Sequence, residues 1–235
     1  MKRFWEFRNQ KSQDGGPDER VLELNGTIAE ESWFGDEVTP EVFKSELLSG
    51  SGPITVLINS PGGDCIAASQ IYTMLKEYGG EVTVKVDGIA ASAASVVAMA
   101  GDKVLMSPTA LMMIHNPSTI AEGDHRDMAK AIEVLAEVKE SIINAYALKT
   151  GLSRAVLSHL MDDETWMNAR KAIELKFADG VLEERKPADE AGAYAFSKRT
   201  CQASLINKLK DTVPEPSGRD IGRLTHELEV LKKII

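Results

Sequence analysis

Two apolar, β-branched runs set the frame for this chain: "PITVLINS" at 53–60 and "EVTVKVDG" at 81–88. Each reads as a buried strand, and each gives way to small residues and then to helical spacing. After the first comes "PGG", then Ala67, Ile71, Met74, Leu75 and Tyr78 at helical intervals; after the second comes an Ala-rich stretch to Ala100. Strand–helix alternation of this kind predicts an α/β fold with a largely parallel sheet. "KVLMS" (103–107) and "LMMIHN" (111–116) supply two more strands, and "RVLELNG" (20–26) alternates like a strand edge. "TPEVFKSELL" (39–48) opens with a Thr cap and Pro at the first helical position. The longest helical pattern runs over 125–149, with Met128, Ile132, Leu135, Val138, Ile142 and Ala145 on one face. Two shorter helical stretches follow, near 153–161 and 169–177.

At 235 residues the chain fits one medium domain with tails. Residues 1–20 are polar, close on Gly15, Gly16 and Pro17, and read as a flexible lead-in; 21–186 form the domain. From 187 to 235 come linker-like pieces and a helical tail. In that tail Ile221, Leu224, Leu228, Leu231 and Ile235 keep alternating spacings of three and four. This is a coiled-coil seam too short to be stable alone, suited equally to folding back on its own domain or to self-association.

The net charge of −9 argues against a nucleic-acid partner. Four scattered His and two distant Cys, Cys65 and Cys201, give neither a metal site nor a disulfide framework, so no cofactor is expected. No apolar run follows the basic start, and none approaches the roughly 18 residues that span a bilayer, so the expectation is a cytoplasmic protein without membrane contact.

Chemistry concentrates in four places. In "INSPGGD" (58–64) two glycines follow a strand, where Gly63 N–H lies near a helix N-terminus and can point at an anion. In "GIAASAAS" (88–95) Ser92 sits at a strand's carboxyl end among small residues, with the Ala93 N–H beside it as a second oxyanion donor. Ser95, one turn further, reads as buried packing. His115 ends "LMMIH" at the mouth of a strand, where an imidazole can act as general base near neutral pH. Asp162, Asp163 and Glu164 then offer an acid to orient it. Taken singly, each has a commoner, plainer role as a turn, a packing serine, a surface histidine or a solvated cap.

Taken in order, "INSPGGD", "GIAASAAS", "MMIHNPS" and "ETWMNARKAIELKFADGV" resemble the ClpP family, the proteolytic subunits of the Clp proteases, over roughly residues 20–185. The "ETW" stretch is nearest to the shorter phage and prophage ClpP-like proteases. The resemblance implies a ClpP/crotonase-like spiral of ββα units and a Ser92 nucleophile. It also implies a His115 base and oxyanion donors at Gly63 and Ala93. The family's acid is an aspartate two residues before an aromatic; Trp166 makes Glu164 the matching position, which is a departure. So is "NPSTIAEGD", with less glycine than the family's substrate-pairing strand. The resemblance further implies a homo-oligomeric ring, usually two stacked heptamers joined through the long helix at about 125–149. A partner AAA+ unfoldase would feed polypeptide substrate into the chamber. No Walker A motif is present, so ATP hydrolysis would have to come from that partner.

The leading expectation is therefore a serine endopeptidase. An enoyl-CoA hydratase-like enzyme would share the fold but use carboxylates, and Ser92 with His115 speaks against it. A Ser–Lys peptidase would need a lysine aimed at Ser92, and none is identifiable in the sequence. A non-catalytic ring subunit whose tail binds a phage capsid or scaffold is the alternative from another class.

Overall fold

A computed structural model describes residues 3–10, 19–28 and 40–182. The chain divides into two units, Met1–Glu184 and Arg185–Ile235. The second unit, with the seam expected at Ile221–Ile235, lies outside the described residues.

Eight strands form one sheet around which six helices are described. The strands β1 (Trp5–Gln10), β2 (Glu19–Asn25), β3 (Ile54–Ser60), β4 (Val82–Ala91) and β5 (Lys103–Met106) lie side by side. At the far edge β5 pairs with the two-residue β8 (Gly180–Val181). All these pairings are parallel except that of β1 with β2. The expected parallel α/β sheet is thus present. Alternate residues of the two central strands, Ile54, Val56 and Ile58 on β3 and Val82, Val84 and Val86 on β4, are buried, while Thr83 and Lys85 on the opposite face of β4 are half-buried.

The expected flexible lead-in over 1–20 is corrected at Trp5–Gln10, which pairs in register with β2 from Trp5↔Leu24 to Gln10↔Glu19. Phe4 and Trp5 are buried, and the Trp5 ring stands edge-on to Phe43 at 5.4 Å. Aromatic burial against the helix α1 (Pro40–Leu48) outweighs the polar composition of this segment. Thr39, read as the cap of α1, lies outside the described residues.

β4 positions the site. Its first half runs between β3 and β5, but after Asp87 the ladder with β3 shifts register, from Ile58↔Val86 to Ser60↔Ala90. Beyond that shift Ile89–Ala91 leave β5 and pair in parallel with β6 (Leu111–Ile114). One strand therefore serves two partners in succession. Its carboxyl end lies against that of β6, which brings residue 92 to residue 115. On its other side β6 pairs antiparallel with β7 (Thr165–Asn168).

The helices α2 (Cys65–Lys76), α3 (Ala93–Ala98), α4 (His125–Thr150), α5 (Arg154–Asp162) and α6 (Ala169–Glu174) complete the unit. The caps match the sequence. Asp64 accepts the Ala67 N–H at 2.6 Å to start α2, and Asp124 with Asp127 forms a capping box for α4. Gly151, in left-handed conformation, closes α4. The last helix ends earlier than expected, because Lys176 adopts φ +62° and turns Phe177 into the core.

The expected apolar face of α4 divides in two. Ile142 and Ala145 are buried and Leu135 and Val138 half-buried, whereas Met128 is exposed and Ile132 is 69% exposed; Val134, on another face, is exposed as well. No helix of the described residues is long and apolar enough to cross a membrane.

Candidate active site

Ser92 stands between β4 and α3 with φ 54° and ψ −127°. Such a backbone costs a non-glycine residue about 1–3 kcal/mol and persists only when its surroundings over-determine it. Three contacts do so. Ser92 N–H donates to the Met113 carbonyl at 2.9 Å, extending the β4–β6 ladder by one bond. The Ser92 carbonyl accepts from Ser95 N–H at 2.9 Å and from Ser95 Oγ at 2.6 Å. Ser95 is wholly buried, as expected from sequence, and its hydroxyl is hydrogen-bonded there.

The turn aims the Ser92 side chain at His115. Ser92 Oγ lies 2.7 Å from His115 Nε2, and both residues are half-buried. His115 follows the last residue of β6, so two adjacent parallel strand ends hold the pair. The side-chain partner of Ser92 is thus an imidazole and not the lysine of a Ser–Lys site.

Opposite Ser92 runs the turn after β3. Gly62 and Gly63 have φ +99° and +144°, values that side chains rarely tolerate. Ile28 brackets them: its N–H donates to Gly62 O at 2.8 Å, and its carbonyl accepts Asp64 N–H at 2.7 Å. A Cβ on Gly63 would run into the Ile28 carbonyl oxygen. Gly62 abuts Ser92, the next residue Gly63 is exposed, and Ala93 begins α3, where helix N–H groups have no intrahelical acceptor. Neither Ile28 nor the part of Gly62 was singled out in the sequence; the paired glycines after a strand were the only signal.

The three acids separate. Asp162 Oδ1 accepts from Lys139 Nζ at 2.6 Å and from Asn116 Nδ2 at 2.8 Å. These two bonds hold its carboxyl below the usual carboxylate range. It is committed to them, beside the site but not on His115. Asp163 is exposed and caps the end of α5 with its backbone N–H. Glu164 is exposed, has φ +47°, and its Oε1 accepts from Trp166 Nε1 at 3.1 Å. The β6–β7 ladder ends with Met113↔Trp166 and Ile114↔Thr165, so the next pair in this register is His115 with Glu164. Among the described residues no carboxylate is hydrogen-bonded to His115, and no three His, Cys, Asp or Glu side chains converge as a metal site requires.

Comparison with known proteins follows the same residues. The Clp protease family model matches residues 16–185. An ATP-dependent Clp protease proteolytic subunit 1 of Chlamydia muridarum is 34% identical over 170 residues, covering 70% of this chain and 87% of its own. The same-named protein of Protochlamydia amoebophila is 28% identical over 158 residues, covering 66% and 77%. Among solved structures, a ClpP1 point mutant from Listeria monocytogenes superposes with a TM-score of 0.61 at 25% identity, covering 70% of this chain and 92% of that one.

Proposed function

The chain belongs to the Clp protease family and is a serine peptidase; from that premise we propose that Ser92 is its nucleophile, His115 its general base and Glu164 the acid that orients the imidazole. The observation that carries the reading is the 2.7 Å approach of Ser92 Oγ to His115 Nε2, at a serine whose strained backbone is held by hydrogen bonds to Met113 and from Ser95.

In this mechanism Ser92 Oγ attacks a peptide carbonyl carbon while His115 Nε2 takes the hydroxyl proton. The carbonyl oxygen becomes an oxyanion held by the N–H groups of Gly63 and Ala93. Collapse of the tetrahedral intermediate breaks the C–N bond, and His115 returns the proton to the leaving amine. Water, deprotonated by the same imidazole, then attacks the acyl-enzyme and frees Ser92.

Glu164 is favoured over its neighbours by position. Its backbone is next in line opposite His115, and rotation of its exposed side chain from Trp166 brings a carboxylate toward Nδ1. Asp162 is taken by Lys139 and Asn116.

The exposed apolar side chains on the first half of α4 support assembly of copies through this helix, in the family's rings or double rings. A closed chamber in the cytoplasm admits unfolded chains only, which an AAA+ unfoldase partner would deliver; the words "ATP-dependent" in the relatives' names support such a partner. A phage or prophage origin is supported by the "ETW" stretch alone. The test of the activity is hydrolysis of a fluorogenic peptide by the purified chain and its loss in Ser92→Ala; undiminished hydrolysis in that variant removes the assignment.

A further inference from the structure

Beneath Ser92 lies a pair of buried hydroxyls that the mechanism above does not use. Ser95 Oγ is 2.6 Å from the Ser92 carbonyl oxygen and 2.8 Å from Tyr146 Oη. Ser95 is 0% and Tyr146 1% exposed. The direction of both bonds follows from proton counting. A carbonyl can only accept, so the single Ser95 hydroxyl proton goes to Ser92 O. Tyr146 must then donate to Ser95 Oγ. Burial pushes the Tyr146 phenol well up, which keeps that proton in place. The Tyr146 ring is fixed edge-on against Phe177 at 5.4 Å, and its backbone carbonyl accepts the Thr150 hydroxyl at 2.8 Å within α4.

The consequence lies in peptide geometry. The Ser92 carbonyl and the Ala93 N–H belong to one planar, trans unit, so they point in opposite directions. Anchoring the carbonyl on Ser95 turns the Ala93 N–H toward the glycine turn. A Cβ on Gly62 would lie 3.0 Å from that nitrogen. Rotation of the peptide would instead aim a carbonyl oxygen at the developing negative charge.

We propose that Ser95 and Tyr146 are positioning residues whose hydroxyls, acting in series, lock the 92–93 peptide and so aim the Ala93 N–H at the oxyanion. The proposal rests on Ser92 being the nucleophile. The backbone bond from Ser95 N–H to Ser92 O survives removal of either hydroxyl. The elbow should therefore remain folded but aim less well.

The experiment compares Ser95→Ala, Tyr146→Phe, their double variant and Ser92→Ala in the full chain. It measures kcat and KM on one fluorogenic peptide, and affinity for a peptide aldehyde, whose adduct carries the oxyanion, and for the non-covalent product peptide. Ser95→Ala is expected to lower kcat about 10- to 100-fold, below the ~10²–10³ lost when an oxyanion donor is removed outright. KM and product affinity should stay within about twofold, and aldehyde affinity should fall in step with kcat, as expected when only the transition state loses an interaction. Tyr146→Phe should move the same quantities less, and the double variant should be no worse than Ser95→Ala because the hydroxyls act in series.

Normal kcat in both single variants beside an inactive Ser92→Ala overturns the positioning proposal alone. So does a fall in kcat with unchanged aldehyde affinity, which would mark a merely structural role. An active Ser92→Ala overturns the nucleophile assignment, and the proposal with it. If Ser95→Ala loses its thermal transition, Tyr146→Phe, which keeps the ring on Phe177, decides by the same readouts.

Discussion

Gly62 stands so close to Ser92 that a Cβ built at residue 62 would lie 2.7 Å from the Ser92 Cβ and 2.6 Å from the Ala91 carbonyl oxygen. The glycine turn and the serine elbow therefore meet backbone against backbone, and neither can move without the other. Gly62→Ala adds a methyl group where only backbone can yield, at φ +99°. It should lower stability by about 1–3 kcal/mol. Because the reacting groups shift, kcat should fall about 10²-fold or more even where the protein is fully folded. Thermal unfolding and kcat measured on the same preparation check both numbers.

The acid assignment predicts a graded response. Glu164→Gln keeps the shape and removes the charge, and should cost up to ~10⁴ in kcat, as loss of the orienting carboxylate does in comparable triads. Asp163→Asn should be close to silent. Asp162→Asn should cost far less than Glu164→Gln, since Asp162 reaches the site only through Asn116 and Lys139. The measurement is kcat for the three variants on one peptide. An inactive Asp163→Asn beside a healthy Glu164→Gln reverses the order.

Much of the frame was legible because it is written locally. The runs at Ile54–Ser60 and Val82–Ala91 are long and β-branched with alternate residues buried, and the helices carry their own caps at Asp64, Asp124 and Gly151. What escaped depends on distant partners. Trp5–Gln10 is a strand only because β2 pairs with it and Phe43 covers its aromatic end. Thr165–Asn168 alternates buried and exposed over just four residues, too few for a period, so it read as a gap between helices. In the site, Ser92, His115 and the glycine pair were visible as residue types in order. The switch of β4 from β5 to β6, which brings them together, was not. Ser95 read as buried packing, and it is buried; its hydrogen bond to Tyr146, 51 residues away in the chain, had no signal in the sequence.

Assembly through α4 makes a prediction about one exposed side chain. Ile132 is 69% exposed on a helix that is otherwise ordered and capped. Ile132→Glu places a charge in the proposed contact and should shift the native mass to a smaller species, with little change in the thermal stability of the domain itself. Native mass measurement of both proteins decides; an unchanged assembly excludes this helix as the contact.

Cys65 opens α2 close to the glycine turn, and burial, with the nearby Asp64 carboxylate, raises its thiol above the ordinary value. The thiolate is the reactive form. Alkylation of Cys65 by iodoacetamide should therefore be slow near neutral pH and should climb as pH rises through the elevated thiol pKa. Peptide mapping of the modified residue over a pH series reads this directly. Fast labelling at neutral pH would contradict it.

A nucleophilic Ser92 should react with a fluorophosphonate probe, and treating the full chain with one and locating the adduct by peptide mass spectrometry shows whether it does. One adduct per chain is expected, on Ser92, formed in parallel with loss of peptide hydrolysis. Neither adduct nor hydrolysis is expected in Ser92→Ala, whose kcat should fall by about 10⁶. An adduct on another serine, or hydrolysis that survives in Ser92→Ala, would contradict the assignment.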